Sequence, residues 1–202
     1  MDCLSYPVNV RHFLKWFVGI DSAFTQTSPA ERDCLARHAA GKRKIAEIGV
    51  FEGVNSRRFR AAMPNDGVLI LVDPYPRRLF GSLGFGWIRR IAHTEVSRET
   101  NGRVVWVEKT GAKAPYDGRV ASELPVDMVF IDGDHSYEGV RGDWEAWRLN
   151  VRPGGIVALH DSVNCRIPDV GSERFTQEVI KKDPAYRFVE AVDTLTIMQR
   201  EG

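Results

Sequence analysis

Apolar residues along the chain fall into short unbroken runs, and most of these runs end in glycine or in an acidic residue. The clearest is Met128-Val129-Phe130-Ile131, which is followed at once by Asp132. A run without polar alternation is typical of a strand that is buried on both faces of a parallel sheet. Five such strands are predicted, at residues 44–48, 68–73, 103–108, 126–131 and 156–161.

Helical segments alternate with these runs. The sequence Ser28-Pro29-Ala30-Glu31 predicts a helix start, because it offers a capping serine, a first-turn proline and a glutamate three residues on. This helix should run through Leu35 to about Ala40 and end at Gly41. Further helices are predicted near 55–62, 138–149 and 172–181, and two closing strands at 187–191 and 194–199. The order predicts an α/β fold, a Rossmann-like doubly wound sheet of seven strands with an antiparallel C-terminal pair and helices on both faces.

Two segments lie outside this alternation. Residues 1–43 form a helical extension in front of a core at 44–202, and its amphipathic stretch 12–20 is expected to pack on the main domain. Covering a site, or meeting a second subunit to form a homodimer, are the other interpretations. Residues 74–102 are long for a crossover and mix glycines with aromatics and arginines. They predict either a mobile lid over the substrate or a helix with a flexible lead-in.

Composition narrows the class of protein. At 202 residues, with 43% hydrophobic and 27% charged residues, the chain is expected to be one globular domain. Lys and Arg number 28 against 27 Asp and Glu, which gives no basic footprint for nucleic acid or a membrane surface. Cys3, Cys34 and Cys165 are scattered without metal-type spacing, and no leader or long apolar run is apparent. A reduced, cytoplasmic enzyme is the expectation.

A glycine turn follows the first strand in the sequence Glu47-x-Gly49-x-x-x-Gly53. Glycines at such a turn let the backbone approach a ligand closely, and the helix beyond offers free amide donors. Asp73 ends the second strand, 20 residues after Gly53, where a carboxylate can accept both hydroxyls of a ribose. The pair favours an adenosine-containing cofactor over a structural turn. Phe51 replaces the middle glycine of the dinucleotide pattern, which disfavours a nicotinamide-dependent oxidoreductase.

Acidic residues and a histidine follow the fourth and fifth strands. Asp132 stands after one, and His160 and Asp161 after the other. Adjacent parallel strands are about 5 Å apart, so these side chains can converge on one ion. Two carboxylates and an imidazole suit a divalent cation such as Mg²⁺ or Mn²⁺. The alternative is that His160 and Asp161 cap a helix or bind loop amides.

Four sequence blocks carry a family resemblance: EIGVFEG, LVDPYP, VDMVFIDGDHSYEGVRGDW and LNVRPGGIVALHDS. Together they resemble a class I S-adenosylmethionine-dependent methyltransferase. Within that class the chain is most similar to the small metal-dependent O-methyltransferases of the "methyltransferase 24" type. These include catechol- and caffeoyl-type enzymes and bacterial sugar O-methyltransferases of macrolide and aminocoumarin pathways. The resemblance covers about residues 44–165, without the N-terminal 40 residues or the segment 74–102.

The resemblance implies a role for each matching residue. The methionine part of the cofactor is expected at Glu47, Gly49 and Gly53, the ribose at Asp73, the adenine border at Thr110, Gly111 and Ala112, and the metal at Asp132, His160 and Asp161. Relatives usually carry two carboxylates, or a carboxylate and an amide, at the last two positions. His160 departs from that pattern, so that direct binding and binding through water both stay open.

The resemblance also implies two candidates for the catalytic base. His135 occupies the position of a basic lysine in catechol-type relatives, and Asp134 that of a proposed base in some sugar-modifying ones. We expect His135 to take the proton of an acceptor hydroxyl as its oxygen attacks the sulfonium methyl in line with the sulfur. In the simplest alternative His135 is a turn residue that binds a loop carbonyl.

The acceptor is predicted from several separate features. Histidine after the D-x-D run, with His-Asp on the fifth strand, favours a sugar or polysaccharide hydroxyl. A phenolic acceptor held between Phe85 and Trp87 is the alternative, and the candidate lid arginines are Arg77, Arg78, Arg89 and Arg90. Two other classes stay open, a metal-dependent hydroxylase of the same superfamily and a binding module without catalysis.

Overall fold

The computed structural model describes residues 10–75, 83–166 and 170–202. Seven strands form one sheet in the order β3-β2-β1-β4-β5-β7-β6. The first five strands are parallel, and β7 runs antiparallel to both β5 and β6. The sheet predicted from the apolar runs is therefore confirmed. Its strands are β1 Lys44–Ile48, β2 Val68–Val72, β3 Arg103–Val107, β4 Val126–Ile131, β5 Val151–Leu159, β6 Tyr186–Val192 and β7 Leu195–Arg200.

Helices cover both faces of the sheet, as the pattern predicted. They are α1 Val10–Phe17, α2 Pro29–Ala39, α3 Val54–Ala62, α4 Leu83–Ser97, α5 Gly118–Ala121, α6 Tyr137–Trp147 and α7 Gly171–Glu178. Short 3₁₀ turns occupy Gly111–Tyr116 and Ile180–Lys182. One buried cluster packs Trp144 and Phe175 of α6 and α7 against the sheet. A second cluster packs Leu35, Phe59 and Ala92 of α2, α3 and α4 against the opposite face.

The strand order reverses between β1 and β4. In register, Ile48 at the end of β1 pairs with Val72 of β2 on one side and with Ile131 of β4 on the other. Ile131 in turn pairs with Leu159 of β5. The carboxyl ends of all four strands therefore lie level at one edge, where doubly wound sheets bind their ligands.

The start of β5 differs from the prediction. The strand begins at Val151 rather than Ile156, and Pro153-Gly154-Gly155 lies within it instead of forming a turn before it. Val126 pairs with Val151 while Met128 pairs with Ile156, so the intervening residues are accommodated by a shift in register. The strand also ends at Leu159, which places His160 and Asp161 in the loop beyond it.

The N-terminal segment packs on α4. Phe13 and Trp16 of α1 form a small apolar cluster with Ile91, and the rings of Phe13 and Trp87 stack at 4.3 Å. Trp16 also donates a hydrogen bond from Nε1 to Glu95 at 2.9 Å. Among the residues that the structure describes, no helix is both long and apolar enough to cross a membrane. The opposite face of the N-terminal segment exposes Val10, Leu14, Phe17, Val18 and Ile20.

The segment 74–102 contains a helix over Leu83–Ser97, and residues 76–82 before it lie outside the described residues. Arg77 and Arg78 lie outside the described residues, and so does the side chain of Phe85. Trp87 contacts α1, and Arg89 pairs with Glu108 at 2.7 Å. Arg90 is exposed on the helix surface.

Candidate functional site

A cavity of about 570 Å³ opens at the carboxyl ends of β1, β2 and β4. Its size is that of a small-molecule site. Its walls come from the turn after β1, the segment after β2, the 3₁₀ turn after β3, the loop after β4 and the start of α6. The lining includes Gly49, Asp73, Thr110, Gly111, Ala112, Asp132, Asp134 and His135. Most residues predicted to bind a cofactor or to act on an acceptor thus lie around one cavity.

The turn after β1 requires glycine at residue 49. Gly49 has a φ of +87°, and a Cβ there would lie 2.0 Å from the backbone oxygen of Asp132. Gly53 also has a positive φ, but it begins α3 and a Cβ there would lie 3.0 Å from the Cα of Ala92. Gly49 therefore brings the turn against the loop after β4, while Gly53 lets α4 pack closely against α3.

Asp73 holds this turn in place. Its Oδ2 accepts hydrogen bonds from the backbone amides of Val50 and Phe51, both at 3.1 Å, and its Oδ1 accepts one from Tyr75 at 2.8 Å. Burial raises the pKa of Asp73, and these three amide donors oppose the rise. The carboxylate that was predicted to bind ribose therefore also organises the glycine turn.

Glu47 lies behind the turn, fully buried and outside the cavity lining. Ser56 donates a hydrogen bond to its Oε2, and its Oε1 has no hydrogen-bond partner among the described residues. Burial raises the pKa of Glu47 well above its ordinary value. Its predicted contact with the cofactor stays a prediction.

The segment that was predicted to border adenine contacts a residue that the sequence analysis did not single out. Asp143 of α6 lines the cavity and accepts a hydrogen bond from the backbone amide of Ala112. Burial raises the pKa of Asp143 to about 7. Trp147, one turn further along α6, donates from Nε1 to the backbone oxygen of Gly111 at 3.0 Å. The i, i+4 spacing of Asp143 and Trp147 on the predicted helix was the available signal.

Asp132, His160, Asp161 and His135 form a ring in which carboxylates and imidazoles alternate. Nδ1 of His160 lies 2.8 Å from Oδ1 of Asp132 and 3.8 Å from Oδ2 of Asp161. His135 closes the ring, with Nδ1 3.2 Å from Oδ2 of Asp161 and Nε2 3.8 Å from Oδ1 of Asp132. The structure thus brings together the three predicted metal residues and the predicted base.

His160 is buried between carboxylates. Its Nε2 lies 3.4 Å from Oε2 of Glu31, on the side of the ring away from Asp132. Burial opposes its charge, but the carboxylates of Asp132, Glu31 and Asp161 outweigh that effect and hold the pKa of His160 well above its ordinary value. Burial would also raise the pKa of Glu31, but the contacts with His160, Ser28 and Thr194 lower it to about 2.

The donor set fits a divalent cation. Nδ1 of His160 is buried and has no hydrogen-bond partner among the described residues, although Asp132 lies only 2.8 Å away. An imidazole nitrogen and a carboxylate oxygen this close together can both bind one divalent ion when the imidazole is neutral. Asp161 has a positive φ of 46°, a strained backbone of the kind that is often found at functional sites.

A more compact group lies elsewhere. Potential ligand atoms of Cys34, His38 and Glu190 all lie within 4.8 Å of one another, which is not true of Asp132, His160 and Asp161. However, Arg37 donates to both oxygens of Glu190 at 2.8 Å and approaches the sulfur of Cys34 at 3.6 Å. Its positive charge already satisfies the carboxylate, so we favour the site at the cavity.

Asp134 and His135 occupy different environments. Asp134 is exposed and accepts a hydrogen bond from the backbone amide of Ser136 at 2.9 Å, which shapes the loop that leads into α6. The imidazole of His135 faces Asp161 and Asp132. Orientation by a carboxylate is characteristic of a histidine that transfers protons.

The N-terminal segment supplies one wall of the cavity, which sequence reasoning left as one of several alternatives. Phe24, Thr25 and Gln26 line the cavity. The backbone amide of Phe24 donates to Oε2 of the buried Glu52 at 2.5 Å, and Nε2 of His12 lies 3.2 Å from the same oxygen. Glu52 belongs to the glycine turn, so the turn and the N-terminal wall are directly joined.

Comparison with known proteins agrees with this architecture. The sequence model of a family described as a methyltransferase domain matches residues 46–162. The fold is shared with TomG, a Streptomyces achromogenes O-methyltransferase solved with S-adenosylmethionine, at 19% identity and a TM-score of 0.65, over 95% of this chain and 87% of that one. It is also shared with a Bacillus cereus O-methyltransferase in complex with SAH, at 19% identity and a TM-score of 0.61, over 99% of this chain and 93% of that one. CalS11, a TDP-rhamnose 3′-O-methyltransferase of calicheamicin biosynthesis, has a similar fold at 18% identity and a TM-score of 0.56, over 84% of this chain and 77% of that one. No curated protein matches the sequence.

Proposed function

The chain belongs to the methyltransferase domain family, and from this premise we propose that it is a metal-dependent O-methyltransferase. It would transfer a methyl group from S-adenosylmethionine to a hydroxyl of a small acceptor, with Mg²⁺ or Mn²⁺ as the cation. The observation that carries the proposal is the ring of Asp132, His160, Asp161 and His135 beside the Gly49 turn. Asp132 and His135 of this ring line the cavity together with Gly49, and His160 and Asp161 lie directly behind Asp132 and His135.

Asp73 and Asp143 are the carboxylates suited to the two ends of adenosine. Asp73 follows β2 and can accept the ribose hydroxyls, while its amide contacts keep the carboxylate in place. Asp143 lies beside Gly111 and Ala112, and its carboxylate can accept a hydrogen bond from the amino group of adenine. The methionine end then extends along the Gly49 turn toward Asp132, which directs the methyl group to the ring of acids and histidines.

His135 is the proposed base. Its Nδ1 faces Asp161 at 3.2 Å, which leaves Nε2 to accept the proton of the acceptor hydroxyl. As that proton moves, the acceptor oxygen forms a bond to the methyl carbon, the carbon–sulfur bond breaks, and S-adenosylhomocysteine is the second product. When bound at Asp132, His160 and Asp161, the divalent cation supplies stabilisation of the developing negative charge on oxygen.

A saccharide hydroxyl is the proposed acceptor. CalS11, which shares this fold, is a sugar O-methyltransferase by its name. The loop after β4 presents Asp134 as an exposed carboxylate at the cavity, and Gln26 of the N-terminal wall lines the cavity as well. Polar groups of this kind can hydrogen-bond the several hydroxyls of a sugar ring.

The test is a methyl-transfer assay with labelled S-adenosylmethionine and a panel of nucleotide sugars, oligosaccharides and catechol. We expect a saccharide to be methylated, with activity that is lost on chelation and restored by Mg²⁺ or Mn²⁺. His135→Ala should lose about 10²-fold or more in turnover with cofactor affinity kept, whereas Asp134→Asn should keep most of it. Transfer to oxygen that persists without a divalent ion would overturn the metal-dependent mechanism. Methylation of catechol alone would move the acceptor to the phenolic class.

A further inference from the structure

We propose that Glu31 is a positioning residue that fixes His160 as a ligand through Nδ1 and biases the site toward a transition-metal ion such as Mn²⁺ over Mg²⁺. The inference rests on the proposed function, because it concerns the same cation site. It assigns to the capping glutamate of α2 a second role, at a loop that follows it by more than 120 residues in the sequence.

The carboxylate of Glu31 is held rigidly. Its Oε2 accepts a hydrogen bond from the backbone amide of Ser28 at 2.7 Å. Its Oε1 accepts two from Thr194, from the backbone amide at 2.9 Å and from Oγ1 at 2.7 Å. The residue is only 2% exposed. A carboxylate fixed by three donors cannot follow the imidazole, so the imidazole must adapt to it.

His160 is also fixed by its surroundings. Its backbone amide donates to the oxygen of Ile131 at 3.1 Å, and its ring packs edge-on against Phe130. Nε2 faces Glu31, and Nδ1 faces Asp132 and Asp161. When Nε2–H is directed at Glu31, only Nδ1 has a lone pair for a metal. A carboxylate behind a ligating histidine fixes its tautomer and makes it a stronger ligand.

An imidazole at this position also changes which ion is preferred. Mg²⁺ strongly favours oxygen ligands, whereas imidazole nitrogen suits first-row transition ions. Glu31 strengthens the nitrogen ligand and should therefore increase the preference for Mn²⁺ over Mg²⁺. If Glu31 were only a helix-capping residue, its charge would affect folding but would leave the ratio of the two metal affinities unchanged.

The main test is the affinity for Mn²⁺, measured by electron paramagnetic resonance, with Mg²⁺ as the competitor and S-adenosylhomocysteine binding as the control. In the wild-type chain we expect Mn²⁺ to bind at least tenfold more tightly than Mg²⁺. Glu31→Gln should lower the affinity for Mn²⁺ about tenfold, the usual size of an outer-shell effect. It should also reduce the ratio of the Mn²⁺ affinity to the Mg²⁺ affinity. Ser28→Ala is the matched control, since it removes the cap on the same helix and should leave both affinities unchanged.

A double variant separates positioning from general damage. In a His160→Asp chain, we expect the preference to shift toward Mg²⁺, and a further Glu31→Gln change should cause no loss of metal affinity. A second carboxylate at 160 has no N–H for Glu31 to bind. Equal losses from Glu31→Gln in both backgrounds would overturn the proposal.

A measurement on the unaltered protein covers the case in which a variant does not fold. Nitrogen-15 spectra of the chain loaded with diamagnetic Zn²⁺ should show the proton of His160 on Nε2, and a proton on Nδ1 would overturn the proposal. Wild-type binding of Mn²⁺ that is indifferent to Glu31 would remove this inference and leave the proposed function. Binding of S-adenosylhomocysteine by a chain that binds neither Mn²⁺ nor Mg²⁺ would remove both this inference and the metal from the proposed function.

Discussion

Gly49 and Asp132 are in direct backbone contact: a Cβ on Gly49 would lie 2.0 Å from the carbonyl oxygen of Asp132. The first residue belongs to the turn proposed to hold the methionine of the cofactor, and the second to the proposed metal site. The amide of Asp132 also donates to the oxygen of Ile48 at 2.8 Å. Because the two sites share this contact, the distance between a bound methyl group and a bound ion is set by the backbone.

Gly49→Ala should therefore damage both sites at once. Its positive φ costs roughly 1–3 kcal/mol for a residue with a side chain, and the clash with Asp132 adds about 1–3 kcal/mol of overpacking. We expect a lower urea midpoint and weaker binding of both S-adenosylhomocysteine and Mn²⁺. Gly154→Ala is the control, because Gly154 has a φ of +74° but open space around it. Equal losses in the two variants would show that the contact with Asp132 does not matter.

Asp73→Asn should weaken the binding of the cofactor and leave the metal site intact. The amide that replaces the carboxylate cannot accept from Val50, Phe51 and Tyr75 with both of its polar atoms. We expect the Kd for S-adenosylhomocysteine to rise at least tenfold, about 1.4 kcal/mol, with Mn²⁺ affinity within twofold of wild type. Calorimetry with each ligand measures the two effects. A parallel loss of both affinities would mean that Asp73 supports the whole edge of the sheet.

Asp143 should make the stability depend on pH. Its pKa is raised to about 7 in the fold, so the native chain keeps a proton that the unfolded chain has lost between about pH 4 and pH 7. The free energy of unfolding should therefore fall as the pH rises through this window and level off above it. From pH 5 to pH 8 the loss attributable to this group is roughly 2–3 kcal/mol.

Asp143→Asn removes the titrating group from this position. Urea unfolding at pH 5 and at pH 8 should show a smaller fall for the variant than for wild type. Identical falls in the two proteins would mean that Asp143 ionises as readily in the fold as in the unfolded chain.

Glu52→Ala should loosen the N-terminal wall of the cavity. The change removes the acceptor for the amide of Phe24 and one of the carboxylates that contact His12, and an unsatisfied buried donor costs about 1–3 kcal/mol. We expect KM for the acceptor to rise about fivefold or more, with kcat changed less. Glu99→Gln is the control, because Glu99 pairs with Arg57 near the surface, away from the cavity. An unchanged KM would show that the wall does not contact the acceptor.

Local patterns were sufficient for the sheet and for most of the site. The apolar runs of β1, β2 and β4 are buried because helices cover both faces of the sheet, and their lack of polar alternation predicted that burial. Asp132, His160 and Asp161 converge because the ends of adjacent parallel strands lie level. The start of β5 could not be found in this way, since Pro153-Gly154-Gly155 reads as a turn and only pairing with Val126 extends the strand to Val151.

Residues with two roles were the ones that sequence reasoning missed. Glu31 was predicted as a capping residue, which is correct, but its contact with Thr194 spans 163 positions and leaves no local signal. Asp143 lies within a predicted helix, where its spacing from a tryptophan is the one local signal. Glu52 lies in the turn after β1, where the glycines are the predicted functional feature. Each acts through a tertiary contact, which depends on how elements pack and not on the spacing of neighbours.

A divalent ion is proposed to bind at Asp132, His160 and Asp161 beside the cofactor. The most direct measurement is Mn²⁺ binding to the chain saturated with S-adenosylhomocysteine, followed by electron paramagnetic resonance, in wild type and in Asp132→Asn. We predict that wild type binds one Mn²⁺ ion per chain. The variant should bind Mn²⁺ at least tenfold more weakly, with its cofactor affinity unchanged. Equal Mn²⁺ binding by both proteins would place the ion elsewhere and contradict the account.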